Sequence, residues 1–423
     1  MSKTLRSDSI ALINGEIYPM DSPNRFSALY AEGGIIKAIG NDRDILLMCG
    51  SKTVVLDMKG KYLMPGFTDT HAHLLSIGKR LAKDKSDLSE NNFKTWYAKA
   101  IKEMLRLGIT SVQTNDIFIL GTIYNVLDFY IEMKSIGNIT PRITPQLYIE
   151  NVTELCDFIN SKKYKDYKSE FLNSLPIKIR VDGILKDRTA ALKEEYSDKR
   201  KAIGTYEYSQ DELNEIVKIA QQENIQIIFQ ATGDGAIDRC LNAIEKHMNA
   251  SSVRHRIESC KVAYEDTYRR MKGLGVMAGI SPASLNDDMH RLLKRLGAER
   301  SRICDSWKSM VINDISIGAG SDGFSELNPC VGIRTLIFRQ DENGEPKYGW
   351  IPSQRLDRAE AFDIYTLGGA KVCAEDSFRG ILSVGKAADI IAFMENPFTA
   401  SYDEFFEIKV GLTIVDGKIA YLQ

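Results

Sequence analysis

The chain has 423 residues, of which 43% are apolar and 26% are charged, so it is long and apolar enough to bury a large core. Its 55 lysines and arginines nearly balance its 57 aspartates and glutamates. This balance disfavours nucleic acid and anionic membranes as partners and favours a small-molecule substrate. The charge balance is also compatible with a homodimer.

The seven cysteines are spread along the chain without any CxxC pair. An odd, dispersed set of cysteines is typical of reduced thiols, so we expect a cytoplasmic protein. The N-terminal residues lack the apolar stretch of a signal peptide, and no apolar run reaches the roughly 18 residues of a transmembrane helix. We therefore expect neither export nor insertion into a membrane.

The two ends of the chain both contain short strand patterns separated by tight turns. Turn signals such as Asn14-Gly15 and Asp416-Gly417 lie between runs of apolar and β-branched residues. Neither end is long enough to bury a good core alone, so we predict that residues 1–63 and 381–423 form one β-sandwich domain. The predicted strands are Ile10–Tyr18, Ile35–Ile39, Thr53–Asp57, Ala388–Met394, Val410–Val415 and Ile419–Leu422.

Between the ends, residues 64–380 alternate short apolar strands with helical patterns. One helix is predicted to begin after Ser209, because Ser209 and Glu212 have the spacing of a capping box. Eight strand and helix units in sequence favour an α/β fold of the (β/α)8 TIM-barrel type, with an open doubly wound sheet as the alternative. The predicted strands are Phe67–His73, Thr110–Thr114, Ile143–Ile149, Ile177–Asp182, Ile225–Thr232, Arg254–Ser259, Val276–Ser281 and Ile315–Gly320.

His71 and His73 lie at the end of the first of these strands, after the turn Pro65-Gly66. Alternate residues of a strand point to the same face, so the two imidazoles can meet at one point in space. This is the geometry of a metal site, although a pair of surface histidines fits the dyad equally well.

The fourth strand places Lys178, Arg180 and Asp182 on the face opposite its apolar residues. A lysine inside a barrel is costly unless it is paired, ligating or modified. Two alternatives to a ligating or modified lysine are a salt bridge from Lys178 to Asp182 and a side chain that extends to the rim.

The eighth strand ends at Asp322, where a carboxylate can ligate a metal and accept a proton from a bound water. The sequence around Ser321 is neither a GxxxxGK[ST] phosphate loop nor an intact GxSxG elbow, so both alternatives are disfavoured. Active sites of barrels are built at the C-terminal ends of the strands, which is where these polar residues lie.

Two histidines, a buried lysine and an aspartate on the first, fourth and eighth strands resemble the amidohydrolase superfamily. The resemblance spans essentially the whole chain, from Asn14–Ile17 through Met64–His73 to Ser383–Ile391. Within the superfamily the chain is most similar to the YtcJ-like (amidohydrolase 3) group. The segments that carry this likeness are Lys178–Gly183, Arg188–Leu192, Ala231–Asp234, Arg254–Glu258 and Ser321-Asp322.

The resemblance implies a (β/α)8 barrel that hydrolyses C–N bonds other than peptide bonds. Matched by motif, His71, His73 and Asp322 would hold a divalent metal, and Lys178 would bridge as an N-carboxylysine. Carboxylation would turn an ammonium, which cannot ligate, into an anion that can. The resemblance thus implies Asp322 and Lys178 as the catalytic residues.

This chain departs from its relatives at the two positions that would hold a second metal, where Gln230 and Ser259 replace histidines. An amide oxygen and a hydroxyl are weak ligands for zinc. We therefore predict a single divalent metal, most simply zinc, that lowers the pKa of a bound water. Repair of the site by Cys260 or Cys330 is less favoured than buried, inert thiols.

The substrate must be inferred from the loops. Arg180, Lys186 and Arg188 gather near the end of the fourth strand and would suit an acidic group, although solvated loop charges explain them as well. Asp182 and Glu258 are further candidates for binding the substrate, and either could supply an acid or base. We predict a small amide, a cyclic amide or a formamide as substrate. A catalytically silent binding protein, and a hydratase or lyase that uses the same metal, are the alternatives.

Overall fold

The computed structural model describes residues 8–82, 92–161, 163–170, 175–248, 253–323 and 326–423. Within these ranges the chain forms a mixed α/β fold, with helices between parallel strands in the middle and mainly antiparallel strands at the two ends. No helix in this part of the chain is both long and apolar enough to cross a membrane.

The strands are β1 (Ser9–Ile13), β2 (Glu16–Ile17), β3 (Ala28–Glu32), β4 (Ile35–Gly40), β5 (Val54–Asp57), β6 (Tyr62–Pro65), β7 (Phe67–Ala72), β8 (Ile109–Thr114), β9 (Arg142–Pro145), β10 (Leu147–Tyr148), β11 (Ile177–Arg180), β12 (Ile227–Ala231), β13 (Arg256–Ser259), β14 (Met277–Ile280), β15 (Ile317–Ala319), β16 (Ile390–Phe393), β17 (Val410–Val415) and β18 (Lys418–Leu422). The α-helices are α1 (Asp42–Met48), α2 (Leu74–Leu81), α3 (Phe93–Arg106), α4 (Ile117–Leu120), α5 (Ile123–Ser135), α6 (Val152–Asn160), α7 (Lys163–Glu170), α8 (Gln210–Gln222), α9 (Asp234–Lys246), α10 (Glu265–Gly273), α11 (Leu285–Ser301), α12 (Trp307–Ile312), α13 (Pro329–Phe338), α14 (Arg358–Tyr365) and α15 (Leu367–Val372). Short 3-10 helices cover Pro282–Ser284, Pro352–Gln354 and Glu404–Phe406.

The N-terminal strands form one sheet and share a second sheet with the C-terminal strands, and the two sheets enclose a common apolar core. One sheet has the order β4-β3-β1-β5 and the other has the order β18-β17-β16-β6-β2. Strand β6 pairs antiparallel with β16, so that Leu63 lies opposite Ala392. Leu12 and Leu29 of the first sheet and Leu412 of the second are buried in the same cluster. The two ends of the chain are therefore joined by backbone pairing and by a common core.

Sequence patterns did not predict β3, β6 or α1. Strand β3 has no β-branched residue, so its conformation follows from pairing with β1 and β4 rather than from propensity. The turn predicted at Asn14-Gly15 within Ile10–Tyr18 is confirmed, because Asn14 adopts a left-handed φ of 54° and separates β1 from β2.

The parallel strands form two sheets, in the orders β7-β8-β9 and β10-β11-β12-β13-β14-β15. They coincide with the eight predicted strands of the middle, except that Gln146 divides the third into β9 and β10. After β15, the N–H of Asp322 donates a hydrogen bond to the carbonyl oxygen of His71 over 2.8 Å. This bond brings the C-terminal ends of β7 and β15 side by side.

Helix α8 begins where its sequence predicts. The Ser209 side chain accepts a hydrogen bond from the N–H of Glu212, and the Glu212 carboxylate accepts one from the N–H of Ser209 over 2.8 Å. The capping box predicted from these two residues is therefore confirmed.

We expect Ser209→Ala to lower the free energy of unfolding by about 1 kcal/mol, because the N-terminal N–H groups of the helix lose their acceptor. Chemical denaturation followed by circular dichroism measures the change. Ser209→Asp, which can still cap the helix, is the matched control and should keep most of the stability. Wild-type stability in Ser209→Ala would show that the cap contributes nothing.

Candidate metal centre and active site

His71 and His73 meet at the C-terminal end of β7. Their ring centroids are 5.4 Å apart, and the two Nε2 atoms lie 3.5 and 3.6 Å from Oδ1 of Asp322. His71 is buried, whereas His73 and Asp322 are partly exposed. Both imidazoles therefore face one carboxylate, which comes from the loop after β15.

The two Nδ1 atoms orient the rings. Nδ1 of His73 lies 2.5 Å from the carbonyl oxygen of Asn115, a contact that requires the proton on Nδ1 and keeps the lone pair on Nε2. Nδ1 of His71 faces Oε1 of the buried Glu258 at 3.7 Å. Both rings thus present Nε2 toward Asp322.

Asp322 is held by links between β7 and the loop after β15. Its backbone is left-handed, with a φ of 56°, and its N–H bonds to His71. The preceding Ser321 donates to the Asp69 carboxylate through its N–H over 3.0 Å and through its hydroxyl over 2.6 Å. Sequence reasoning missed Asp69 as a positioning residue, although Asp69 alternates with His71 along the strand and so faces the same side.

Charges around the site favour the forms of these residues that bind metals. Burial opposes ionisation of Asp322, but His71, His73 and Lys178 outweigh it and lower the pKa of Asp322 to about 2. Burial and the charge of Lys178 lower the pKa of His71 well below its usual value. At neutral pH Asp322 is therefore an anion and His71 is a neutral imidazole.

The side chain of Lys178 extends from β11 toward His71. It is buried, and its Nζ lies 2.6 Å from Nε2 of His71. Burial lowers the pKa of Lys178 to about 8, against the opposing charges of Glu258 and Asp322. The alternative of a lysine extended to the rim is wrong, because the side chain lies inside and contacts His71.

Glu258 lies behind His71 and is closed off from solvent. Its Oε2 is 3.1 Å from Nε of Arg256, and both side chains are buried. Burial raises the pKa of Glu258, and the charges of Arg256 and Lys178 oppose that rise. Gly279 makes room for the carboxylate, because a Cβ there would lie 2.3 Å from Oε2. This placement suits a residue that orients His71 rather than the substrate contact expected from the sequence.

The donor set fits a divalent metal. His71, His73 and Asp322 each offer one ligand atom, and these atoms lie within 4.8 Å of one another. Two imidazole nitrogens and a carboxylate oxygen match the ligands that zinc prefers. Among the residues that the structure describes, this is the only such group of histidine, cysteine, aspartate or glutamate side chains.

Gln230 and Ser259, which we predict to replace the histidines of a second metal site, lie on β12 and β13. Gln230 is in register with Glu258, and Ser259 ends β13 with a φ of 74°. Cys260 and Cys330 are buried thiols, and burial raises the pKa of each to about 12. Neither thiol joins the metal-ligand group within the described ranges, which supports the interpretation as inert thiols.

The Asp182 carboxylate links two loops through hydrogen bonds. Its Oδ1 accepts a hydrogen bond from the N–H of Thr232, and its Oδ2 accepts from those of Ala191 and Gly233, all over 2.8 Å. The loop after β11 is thereby fixed to the loop after β12. These bonds give Asp182 a structural role, and the acid, base or substrate-binding role expected from the sequence stays a prediction.

We expect Asp182→Ala to lower the free energy of unfolding by about 3 kcal/mol, because three buried N–H groups lose their acceptor. Chemical denaturation measures the loss. Asp187→Ala is the matched control, since Asp187 is exposed in the same loop, and it should stay within about 0.5 kcal/mol of the wild type. Equal losses in the two variants would contradict the role of Asp182.

The three cations near the end of β11 do not share one role. Arg188 makes two hydrogen bonds to the Asp198 carboxylate, over 2.9 and 2.8 Å. Lys186 has an exposed side chain in the loop. Arg180 lies on β11 itself, two residues after the lysine that reaches His71. The structure therefore separates Arg180 from the other two.

Comparison with known proteins assigns the family. A family model described as Amidohydrolase family (Amidohydro_3) matches residues 77–421. YtcJ of Bacillus subtilis (strain 168), an amidohydrolase by name, is 24% identical over 323 residues, which are 76% of this chain and 60% of YtcJ. The N-substituted formamide deformylase of Arthrobacter pascens is 24% identical over 225 residues, which cover 52% of this chain and 41% of the deformylase. The chain thus spans less than two thirds of the length of either relative.

A solved structure has a similar fold. It is an uncharacterized metal-dependent hydrolase from Pyrococcus furiosus, with a TM-score of 0.76 and 21% identity, and the match covers 92% of this chain and 100% of that one. At this identity the likeness concerns the fold. The family model matches most of the chain, and YtcJ is among the relatives. The chain therefore belongs to the amidohydrolase superfamily, in its YtcJ-like (amidohydrolase 3) group.

Proposed function

We propose that this chain is a metal-dependent hydrolase that cleaves a non-peptide C–N bond, such as that of a small amide, a cyclic amide or a formamide. The observation that carries the proposal is the meeting of His71, His73, Lys178 and Asp322 at the C-terminal ends of β7, β11 and β15. Barrel enzymes build their active sites at these strand ends. The names of the two relatives point to the same type of bond.

The proposal includes a closed (β/α)8 barrel made of residues 64–380, with residues 1–63 and 381–423 as a β-sandwich beside it. Gly320 supports closure, because a Cβ at this position would lie 2.6 Å from the backbone nitrogen of His71. The bonds of Ser321 and Asp322 to β7 cross the same junction. A closed barrel directs the inward side chains of alternate strands toward one axis.

A single divalent ion, most simply zinc, would be held by the two histidines, Asp322 and a carboxylated Lys178. When bound, such an ion supplies Lewis-acid polarisation of the substrate and a lowered pKa of water. We predict that Gln230 and Ser259 replace the histidines of a second site, and neither is a strong ligand for zinc. We therefore expect one ion.

The surroundings of Lys178 favour its carboxylation. The reactive form is the neutral amine, and burial, which lowers the pKa to about 8, increases its fraction. The amine nitrogen adds to the carbon of CO2 and releases one proton, which gives a carbamate anion. The carbamate would present oxygen ligands beside His71 in place of an ammonium that cannot ligate.

Asp322 would move the proton. Its side chain is 43% exposed and reaches the open side of the site, while its Oδ1 stays near both imidazoles. It would accept a proton from the attacking water as the water oxygen bonds to the substrate carbon. It would then donate that proton to the leaving nitrogen as the C–N bond breaks, which yields a carboxylic acid group and an amine.

Turnover of a small probe panel tests the proposal. Zinc-loaded protein in bicarbonate buffer is incubated with formanilide, benzamide and a cyclic amide, and the release of acid and amine is followed by chromatography. We expect hydrolysis in at least one of these classes. Probes that bind without turnover would contradict the proposal in favour of a silent binding protein. Addition or loss of water with the C–N bond intact would favour a hydratase or lyase.

A further inference from the structure

We propose that Arg180 determines specificity at this site by binding a carboxylate of the substrate, while Tyr148 and Phe118 pack against an adjacent flat, apolar group. The inference rests on the proposed function and narrows its substrate class to anionic amides or formamides.

Arg180 shares a face of β11 with Lys178, and it lies two residues nearer the C-terminal end. Lys178 reaches His71, with its Nζ at 2.6 Å from Nε2. Arg180 therefore projects above the metal-ligand group, on the side from which a substrate enters. Its side chain is 48% exposed, so the guanidinium is accessible from that side.

Within the protein, Glu207 holds Arg180 weakly. Nη2 of Arg180 contacts Oε1 of Glu207 over 3.4 Å, which is long for a hydrogen bond, and the Glu207 side chain is 40% exposed. Such exposed ion pairs contribute about 0 to 1 kcal/mol. A substrate carboxylate that offers two short bonds to the planar guanidinium can therefore displace Glu207.

Two other arginines near the site are engaged by the protein itself. Arg188 forms two short bonds to Asp198. Arg256 is fully buried and lies 3.1 Å from the carboxylate of Glu258. The contact of Arg180 is longer than these and open to solvent, which makes Arg180 the arginine best placed to exchange its partner.

Tyr148 lies near Arg180, and Phe118 packs against Tyr148. Tyr148 on β10 is in register with Lys178, so the two side chains point to the same face. Burial raises the pKa of Tyr148, and the nearby charge of Arg180 opposes that rise. Phe118, in α4 after β8, is 71% exposed, and its ring centroid is 5.4 Å from that of Tyr148. An exposed phenylalanine packed against a tyrosine offers a surface that a flat apolar group would cover.

Matched probes that differ in charge test the inference. The probes are 3- and 4-formamidobenzoate and the two corresponding formamidobenzamides. Calorimetry with the zinc-loaded protein gives Kd, and amine release gives KM and kcat. We expect the benzoates to bind about tenfold more tightly than the benzamides, because a charge-assisted hydrogen bond at a half-exposed site adds about one decade of affinity.

Variants at Arg180 show whether this residue causes the preference. Arg180→Gln should raise the Kd and KM of the benzoates about tenfold, so that the preference disappears. Arg180→Lys keeps the positive charge and should therefore retain part of the preference for the benzoates. Glu207→Gln removes the competing carboxylate and should tighten binding of the benzoates. Arg43→Gln, on the exposed side of α1, is the matched control and should bind both kinds of probe as the wild type does.

Two outcomes would overturn the inference. One is equal affinity of the wild-type protein for benzoates and benzamides, and the other is a preference that survives Arg180→Gln. Selective binding of the benzoates without amine release would contradict the proposed hydrolase function and still support the role of Arg180. The two failures are therefore distinguishable.

Discussion

Asp322→Asn is expected to reduce kcat for amide hydrolysis by about 10³-fold or more in the zinc-loaded protein, because it removes the residue that we propose as both proton acceptor and metal ligand. The substitution replaces the anion that lies 3.5 and 3.6 Å from the two imidazoles by a neutral amide. An amide does not take up a proton from water at neutral pH. Initial rates with the hydrolysed probe, in samples whose zinc content is also measured, check this expectation.

Asp21→Asn is the matched control, because Asp21 is exposed in the N-terminal segment. This variant should keep the wild-type kcat and zinc content. If Asp322→Asn folds, binds zinc and turns over at the wild-type rate, Asp322 has no part in the reaction.

Lys178→Ala is expected to abolish metal retention, with zinc falling from about one to below about 0.1 per chain after gel filtration. The substitution deletes the side chain whose Nζ lies 2.6 Å from Nε2 of His71. The carbamate oxygens that would complete four ligands around the ion are lost with it. Inductively coupled plasma mass spectrometry measures the zinc.

Added acetate separates the loss of a ligand from the loss of structure in Lys178→Ala. Acetate supplies carboxylate oxygens in the space that the side chain leaves, so it should restore part of the zinc binding. Circular dichroism verifies that the variant folds, and Lys218→Ala on the surface of α8 is the matched control. Unchanged zinc content in Lys178→Ala would remove Lys178 from the metal site.

Local patterns were sufficient to predict the residues of the site whose placement depends on strand alternation. His71 and His73 converge because they are two residues apart at the end of β7. Lys178 lies on the inward face of β11 for the same reason. Asp322 could be located because it follows the last parallel strand, where such folds gather their polar residues.

The contacts that hold these residues in place could not be predicted, because they join distant parts of the chain. Asp69 and Ser321 are 252 residues apart in sequence. Asp182 is 51 residues from Gly233, and no local pattern reveals which N–H groups will surround a carboxylate. Tertiary packing decides these partners.

Irregular backbone conformations could not be predicted from the sequence either. Ser259 and Cys260 have positive φ values of 74° and 44° in succession, so the alternation of a regular strand does not continue through the end of β13. Serine and cysteine do not indicate such a conformation in a sequence, because L-residues adopt it rarely. The prediction that Cys260 is a buried thiol is nevertheless confirmed.

The number of metal ions per chain tests the central claim most directly. The purified 423-residue protein is stripped of loosely bound metal and analysed by inductively coupled plasma mass spectrometry. We predict about one divalent ion per chain, held by the two histidines, Lys178 and Asp322. Absence of a bound ion would contradict the metal-dependent reaction, and a second ion would contradict the role assigned to Gln230 and Ser259.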